Sequence, residues 1–111
     1  MKHIYTLEFW KDIKGYEGLY QVSNVGQVKS LPRYGTKGRI LKSTLTHDGY
    51  LRVCLCKKNK KKNFLVSRLV AEAFLSNEDE LPEVDHLNGD RTDNRVCNLQ
   101  WISSVENYRK K

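Results

Sequence analysis

The apolar stretches of this chain are short, and turn signals separate them. Residues 50–58 alternate, with Leu51, Val53 and Leu55 opposing Arg52, Cys54 and Cys56, the period-two pattern of a strand with one face buried. Residues 19–23 and 27–31 read as paired strands, and Asn24-Val25-Gly26 between them suits a three-residue hairpin loop with glycine in the left-handed position. Residues 39–46 alternate in part through Ile40, Ser43 and Leu45; Asp48-Gly49 marks the next turn; residues 63–66 read as one more short strand. Ser67 is a candidate helix N-cap. Leu69, Val70, Ala73 and Phe74 then recur at helical spacing, which predicts an amphipathic helix over residues 68–75 that covers the sheet. A chain of 111 residues patterned in this way is a single small domain or two packed modules, not a large α/β enzyme.

The polar run Ser76-Asn77-Glu78-Asp79-Glu80-Leu81-Pro82 marks the boundary between two parts. The expected fold class is α+β. A small antiparallel β module with its covering helix spans residues 1–75, and a second unit spans residues 76–111. In that second unit, residues 83–87 and 99–102 read as strands around a long polar loop that opens with Asn88-Gly89-Asp90. Ser103 and Glu106 have the spacing of a capping box. A helix through Asn107 and Tyr108 follows, with the basic end Arg109-Lys110-Lys111 suited to a helix C-terminus. The local order is strand, long loop, strand, helix.

Composition narrows the function classes. Hydrophobic residues make up 39% of the chain, and 2 Trp, 6 Tyr and 3 Phe can fill a core. A charged fraction of 30% with two prolines is unlike a disordered tail. No apolar run approaches the ~20 residues that span a bilayer, and Met1-Lys2-His3-Ile4-Tyr5 has no signal core, so a cytoplasmic protein without membrane contact is expected. Cys54, Cys56 and Cys97 are an odd set with no C-x-x-C pair, a poor disulfide framework or zinc knuckle; they read as buried free thiols. With 20 Lys and Arg against 13 Asp and Glu, the formal charge is +7, which favours a polyanionic partner. Lys57, Lys58, Lys60, Lys61 and Lys62 cluster between two strands, as a solvated hairpin tip and, compatibly, a phosphate-contacting loop. Lys29, Arg33, Lys37, Arg39, Lys42 and Arg52 widen the basic surface. If about six such cations neutralise phosphates, binding weakens steeply with salt.

The chemistry concentrates in the second unit. Asp85 and His86 are adjacent near a strand end, and Asn107 lies in the helix that packs back on the hairpin. A carboxylate and an amide oxygen are hard ligands suited to Mg²⁺ or Mn²⁺. A neutral imidazole beside them can take a proton from water. Neighbours on a regular strand face opposite ways, so Asp85 and His86 converge only if the strand twists or ends there. Asn88 and Asn94 read as turn formers, Trp101 as a core residue, and His3 and His47 as exposed and uninvolved. Arg91 and Arg95, in the same loop, are candidate phosphate contacts.

Val84-Asp85-His86-Leu87-Asn88-Gly89-Asp90, Asn98-Leu99-Gln100-Trp101 and Asn107 together resemble the HNH endonuclease motif, which builds a ββα-metal (His-Me) finger. Trp10, Ile13-Lys14-Gly15-Tyr16-Glu17-Gly18-Leu19-Tyr20-Gln21-Val22-Ser23-Asn24-Val25-Gly26-Gln27-Val28 resemble the N-terminal module of phage and intron-encoded HNH homing endonucleases. The resemblance implies His86 as general base, Asp85 and Asn107 as ligands of one divalent metal, and Asn98 as the brace of the loop. Asn107 stands where many members carry histidine, which tilts the expected ion toward Mg²⁺ or Mn²⁺. The implied activity is hydrolysis of double-stranded DNA, nicking one strand as a monomer, in a phage-encoded setting, and rising through neutral pH as the imidazole loses its proton. The competing classes are a non-catalytic DNA-binding module on the same scaffold and a basic protein-interaction domain. Intron-encoded members often continue with a helical DNA-binding segment, and this sequence stops at Lys111, so a minimal form or part of a longer chain is expected.

Overall fold

The computed structural model describes residues 7–110. His3 and Lys111 lie outside the described residues. Among the described residues, nine short strands and two helices follow in the order β1 (Trp10–Asp12), β2 (Tyr20–Ser23), β3 (Val28–Ser30), β4 (Arg39–Ile40), β5 (Thr44–Leu45), β6 (Leu51–Lys57), β7 (Lys60–Leu65), α1 (Val66–Phe74), β8 (Glu83–His86), β9 (Leu99–Ile102) and α2 (Ser104–Lys110), with a 3₁₀ turn at Val96–Asn98 before β9. They form three antiparallel sheets, β1-β2-β3-β4, β5-β6-β7 and β8-β9. The architecture is α+β, as the pattern predicts.

The 24–26 hairpin loop forms with Gly26 at φ +90°, and Val22 pairs with Val28 across it. The 50–58 alternation also holds, with Val53 and Leu55 buried and Arg52 and Cys54 exposed. One apolar cluster then gathers Ile13 (just past β1), Tyr20, Val22 and Val28 from the first sheet, Val53 and Leu55 from the second, Val66, Leu69 and Val70 from α1, and Leu99 from β9. α1 therefore packs on strands of all three sheets. The Tyr20 hydroxyl bolts the first sheet to the second: it accepts from the Cys56 N–H at 3.1 Å and donates to the Cys56 carbonyl at 3.3 Å.

Several expectations are corrected. The helix spans Val66–Phe74 instead of 68–75, with Leu65 as its extended N-cap residue and no side-chain cap; Ser67 is buried inside the first turn. The reason is packing: Val66, fully buried, adds a first turn to the 66/69/70/73 apolar stripe. The lysine cluster is mostly strand, not loop. Lys57 ends β6, Lys60, Lys61 and Lys62 lie in β7, and only Lys58 and Asn59 form the turn, at φ 51° and 64°. Residues 39–46 split between two sheets because Ile40 pairs with Lys29 while Leu45 pairs with Leu51. The cysteines are free, yet Cys54 and Cys97 are exposed instead of buried; Cys54 sits on the outer face of β6, opposite Val53 and Leu55. Trp101 is half-buried, its Nε1–H donating to the Leu75 carbonyl at 3.3 Å.

Candidate active site

β8 stops at His86, and the next residues turn, with the Gly89 N–H donating to the His86 carbonyl at 2.9 Å. Ending the strand there removes the conflict between adjacent side chains. Asp85 and His86, 9% and 7% exposed, line one cleft of about 140 Å³ together with Tyr50, Val84, Gly89, Arg91 and Asn107. Asn107 reaches this cleft because α2 starts from a capping interaction: Ser103 Oγ accepts from the Glu106 N–H at 3.1 Å and donates to the Glu106 carboxylate at 3.3 Å.

Each of the three side chains has a fixed neighbour. Gln100, opposite Asp85 in the β8–β9 ladder, donates through Nε2 to Asp85 Oδ2 at 2.9 Å. Asn107 donates through Nδ2 to Glu83, so its Oδ1 is the end available to a cation. His86 Nε2 lies 2.8 Å from Asn94 Oδ1, and its ring is tilted against Tyr50 with centroids 6.0 Å apart. Among the described residues no group of three or more His, Cys, Asp and Glu side chains converges as a metal cage. The oxygen donors here are a carboxylate and an amide.

The polar loop is built around Asn98, which is buried. Its Oδ1 accepts from the Asn88 N–H at 3.0 Å, and its Nδ2 donates to Asn88 Oδ1 at 3.0 Å and to the Asp93 carbonyl at 2.9 Å. Its own carbonyl accepts from the Leu87 N–H at 2.8 Å. Asn88 is a turn former, as its residue type predicts, with Oδ1 also accepting from the Asp90 N–H at 2.8 Å. Asn94 does not act as the turn former its residue type predicts: it lies past the 91–92 turn and is buried against the imidazole.

Arg91 lines the cleft, stacked 4.8 Å over the Tyr50 ring and donating to the Asp48 carbonyl at 2.6 Å. Arg95 forms a forked pair with Asp93, at 2.8 and 2.7 Å. Those hydrogen bonds hold the Asp93 carboxyl down to about 2. The Thr92 hydroxyl and N–H likewise lower Asp90. Away from the cleft, Lys57 donates to the Gly15 carbonyl at 2.6 Å and Lys62 sits 5.3 Å over the Phe64 ring. Lys58, Lys60 and Lys61 are exposed, as is His47.

Sequence reasoning missed Tyr50, Glu83, Asn94 and Gln100. Strand pairing supplies Gln100, and the period-two spacing of Glu83 from Asp85 was a usable signal. Tyr50 and Asn94 arrive through tertiary contacts alone.

Two family models match the chain, the NUMOD4 motif over residues 8–56 and HNH endonuclease over residues 64–109. The second takes in α1, the helix both parts share. The DNA endonuclease I-HmuI of Bacillus phage SP01 is 46% identical over 101 residues, covering 88% of this chain and 56% of that protein. Two mimivirus proteins, the uncharacterized HNH endonucleases L247 and L245 of Acanthamoeba polyphaga mimivirus, are 40% and 34% identical, covering 92% and 88% of this chain and 25% and 28% of theirs. A solved structure of DNA binding and cleavage by the HNH homing endonuclease I-HmuI superposes with a TM-score of 0.81 at 45% identity, over 92% of this chain and 56% of that one. The chain thus spans about half of its phage relative and about a quarter of the mimivirus proteins.

Proposed function

The chain belongs to the HNH endonuclease family, and from that premise we propose that it is a metal-dependent DNA endonuclease hydrolysing phosphodiester bonds. The carrying observation is that Asp85, His86 and Asn107 line one cleft. The oxygen donors fit a hard divalent ion: Asp85 offers its carboxylate, and Asn107, with Nδ2 engaged by Glu83, offers Oδ1. Bound by those two residues, Mg²⁺ or Mn²⁺ would supply Lewis-acid stabilisation of the charge that builds on the phosphate. His86 takes the proton of the attacking water. Gln100 keeps the Asp85 carboxylate oriented, and Asn98 braces the loop beneath the imidazole.

The substrate is double-stranded DNA. Arg91, beside the cleft, contacts the scissile strand. Arg95 does so only by exchanging Asp93 for phosphate. Lys58, Lys60 and Lys61 take backbone contacts, with Lys57 and Lys62 flanking them. In this division of labour residues 1–75 capture DNA and residues 76–111 cut it. A single site of this kind nicks one strand, so the protein acts as a monomer. No helix among the described residues is long and apolar enough to cross a membrane; a phage relative and free cysteines fit action in a host cytoplasm.

The test is a supercoiled-plasmid assay with Mg²⁺ or Mn²⁺. Open circles should form with either ion and vanish with chelator. Asp85→Ala and His86→Ala should abolish cleavage while DNA affinity persists. Salt-sensitive binding without nicking would replace this reading with a non-catalytic DNA-binding module. Parent-rate nicking by either variant would overturn the assignment of these residues.

A further inference from the structure

The polar loop between β8 and β9 is gripped by the first sheet. The Val96 N–H donates to the Asn24 carbonyl at 2.8 Å. Gly26 approaches so closely that a Cβ there would stand 3.1 Å from Asn94 Cβ and 3.2 Å from its carbonyl carbon and oxygen. The gripping hairpin is itself rigidly held. Ser23, fully buried, accepts through Oγ from the N–H groups of Val25 and Gln27 at 3.2 and 3.1 Å. Asn24 accepts from the Phe9 N–H at 2.6 Å and donates to the Leu7 carbonyl at 2.9 Å. What the hairpin holds is Asn94, 4% exposed, with Oδ1 2.8 Å from His86 Nε2.

An amide oxygen can only accept a hydrogen bond. With Oδ1 of Asn94 facing the ring at 2.8 Å, the hydrogen bond requires His86 to donate through Nε2–H, which in the neutral imidazole leaves the lone pair on Nδ1. Resting on the reading of His86 as the general base, we propose that Asn94 is a positioning residue that fixes the Nε2–H tautomer of His86, and that the β2–β3 hairpin sets Asn94 in place. The proton drawn from water then resides on Nδ1, and the Nε2–H bond to Asn94 strengthens as the ring becomes charged. The N-terminal sheet thereby contributes to the chemical step as well as to DNA capture. Gly26 is the contact residue because a side chain at φ +90° would be strained and would push on Asn94.

The tautomer is read directly by long-range ¹H–¹⁵N correlation on the histidine rings of the full chain at alkaline pH, with His86→Ala assigning the signal. The parent should show the Nε2–H form. Asn94→Leu should give a tautomer mixture, and Asn94→Asp, which keeps an oxygen acceptor, should restore Nε2–H. In single-turnover cleavage at saturating DNA, Asn94→Leu should lose about 10²-fold in rate with DNA affinity unchanged. Gly26→Ala should lose about tenfold. An Nδ1–H parent, an unmoved tautomer in Asn94→Leu, or parent rates in both variants would overturn the proposal. Should Asn94→Leu not fold, the parent tautomer and Gly26→Ala still decide it. If the parent cuts no DNA, the endonuclease reading fails and the ring spectra alone decide this one.

Discussion

Asn98 illustrates how much a single buried amide can organise. Its side chain closes both ends of the polar loop, on Asn88 and on Asp93. Asn98→Ala leaves the Asn88 N–H and the Asp93 carbonyl without that partner, so it should cost about 1–3 kcal/mol in urea unfolding and, under the proposed endonuclease function, slow cleavage by loosening the His86 turn. Asp93 adds a pH dependence. Its folded pKa of about 2 lies below the ordinary 3.8 because Arg95 hydrogen-bonds the carboxylate. A depressed folded pKa contributes stability that is present above the unfolded value and lost as pH falls through the folded one. Amide-exchange protection of the loop should therefore drop from pH 3.8 toward about 2, and Arg95→Gln should flatten that response. An unchanged profile in Arg95→Gln would show that another acid carries it.

At the scale of elements, the β6–β7 hairpin is the clearest case of local chemistry working against itself. Both turn residues have positive φ, 51° for Lys58 and 64° for Asn59, which is the geometry of the two-residue turn that matches strand twist. Asn tolerates it; Lys does not favour it. Lys58→Gly should raise stability by about 0.5 kcal/mol after the entropy of the freer unfolded chain is set against the relieved strain, seen as a higher melting temperature. The same hairpin anchors the core through Leu55, which is fully buried. Leu55→Ala should cost about 3 kcal/mol, measured by denaturant midpoint at constant slope.

For the whole molecule, charge sets how the proposed DNA substrate would be met. The net charge is +7, while several cations are engaged internally: Lys57 on Gly15, Arg91 on Asp48 and Arg95 on Asp93. All five lysines of the cluster are exposed, but Lys57 is held by Gly15 and Lys62 lies over the Phe64 ring, which makes Lys58, Lys60 and Lys61 the three to test. Replacing these three with Gln should reduce the slope of log affinity against log salt by about 2.7, at roughly 0.9 per phosphate contact, in a fluorescence titration. An unchanged slope would remove the hairpin from the interface. The three sheets share one core through α1, so loss of core packing in either part should be felt in both, as a single unfolding transition.

What the sequence determined by itself was local: the alternation of residues 50–58, the Asn24-Val25-Gly26 hairpin, the Ser103–Glu106 cap and the strand–loop–strand–helix order that brings Asn107 back toward Asp85 and His86. Those features follow from period, turn chemistry and capping, which act over a few residues. The helix start at Val66, the exposure of Cys54 and Cys97, and the pairing of residues 39–46 with two different sheets depended on which surfaces met. So did the identity of Asn94. In sequence it is one of several loop asparagines, and only the approach of a hairpin from the far end of the chain buries it against the imidazole of His86.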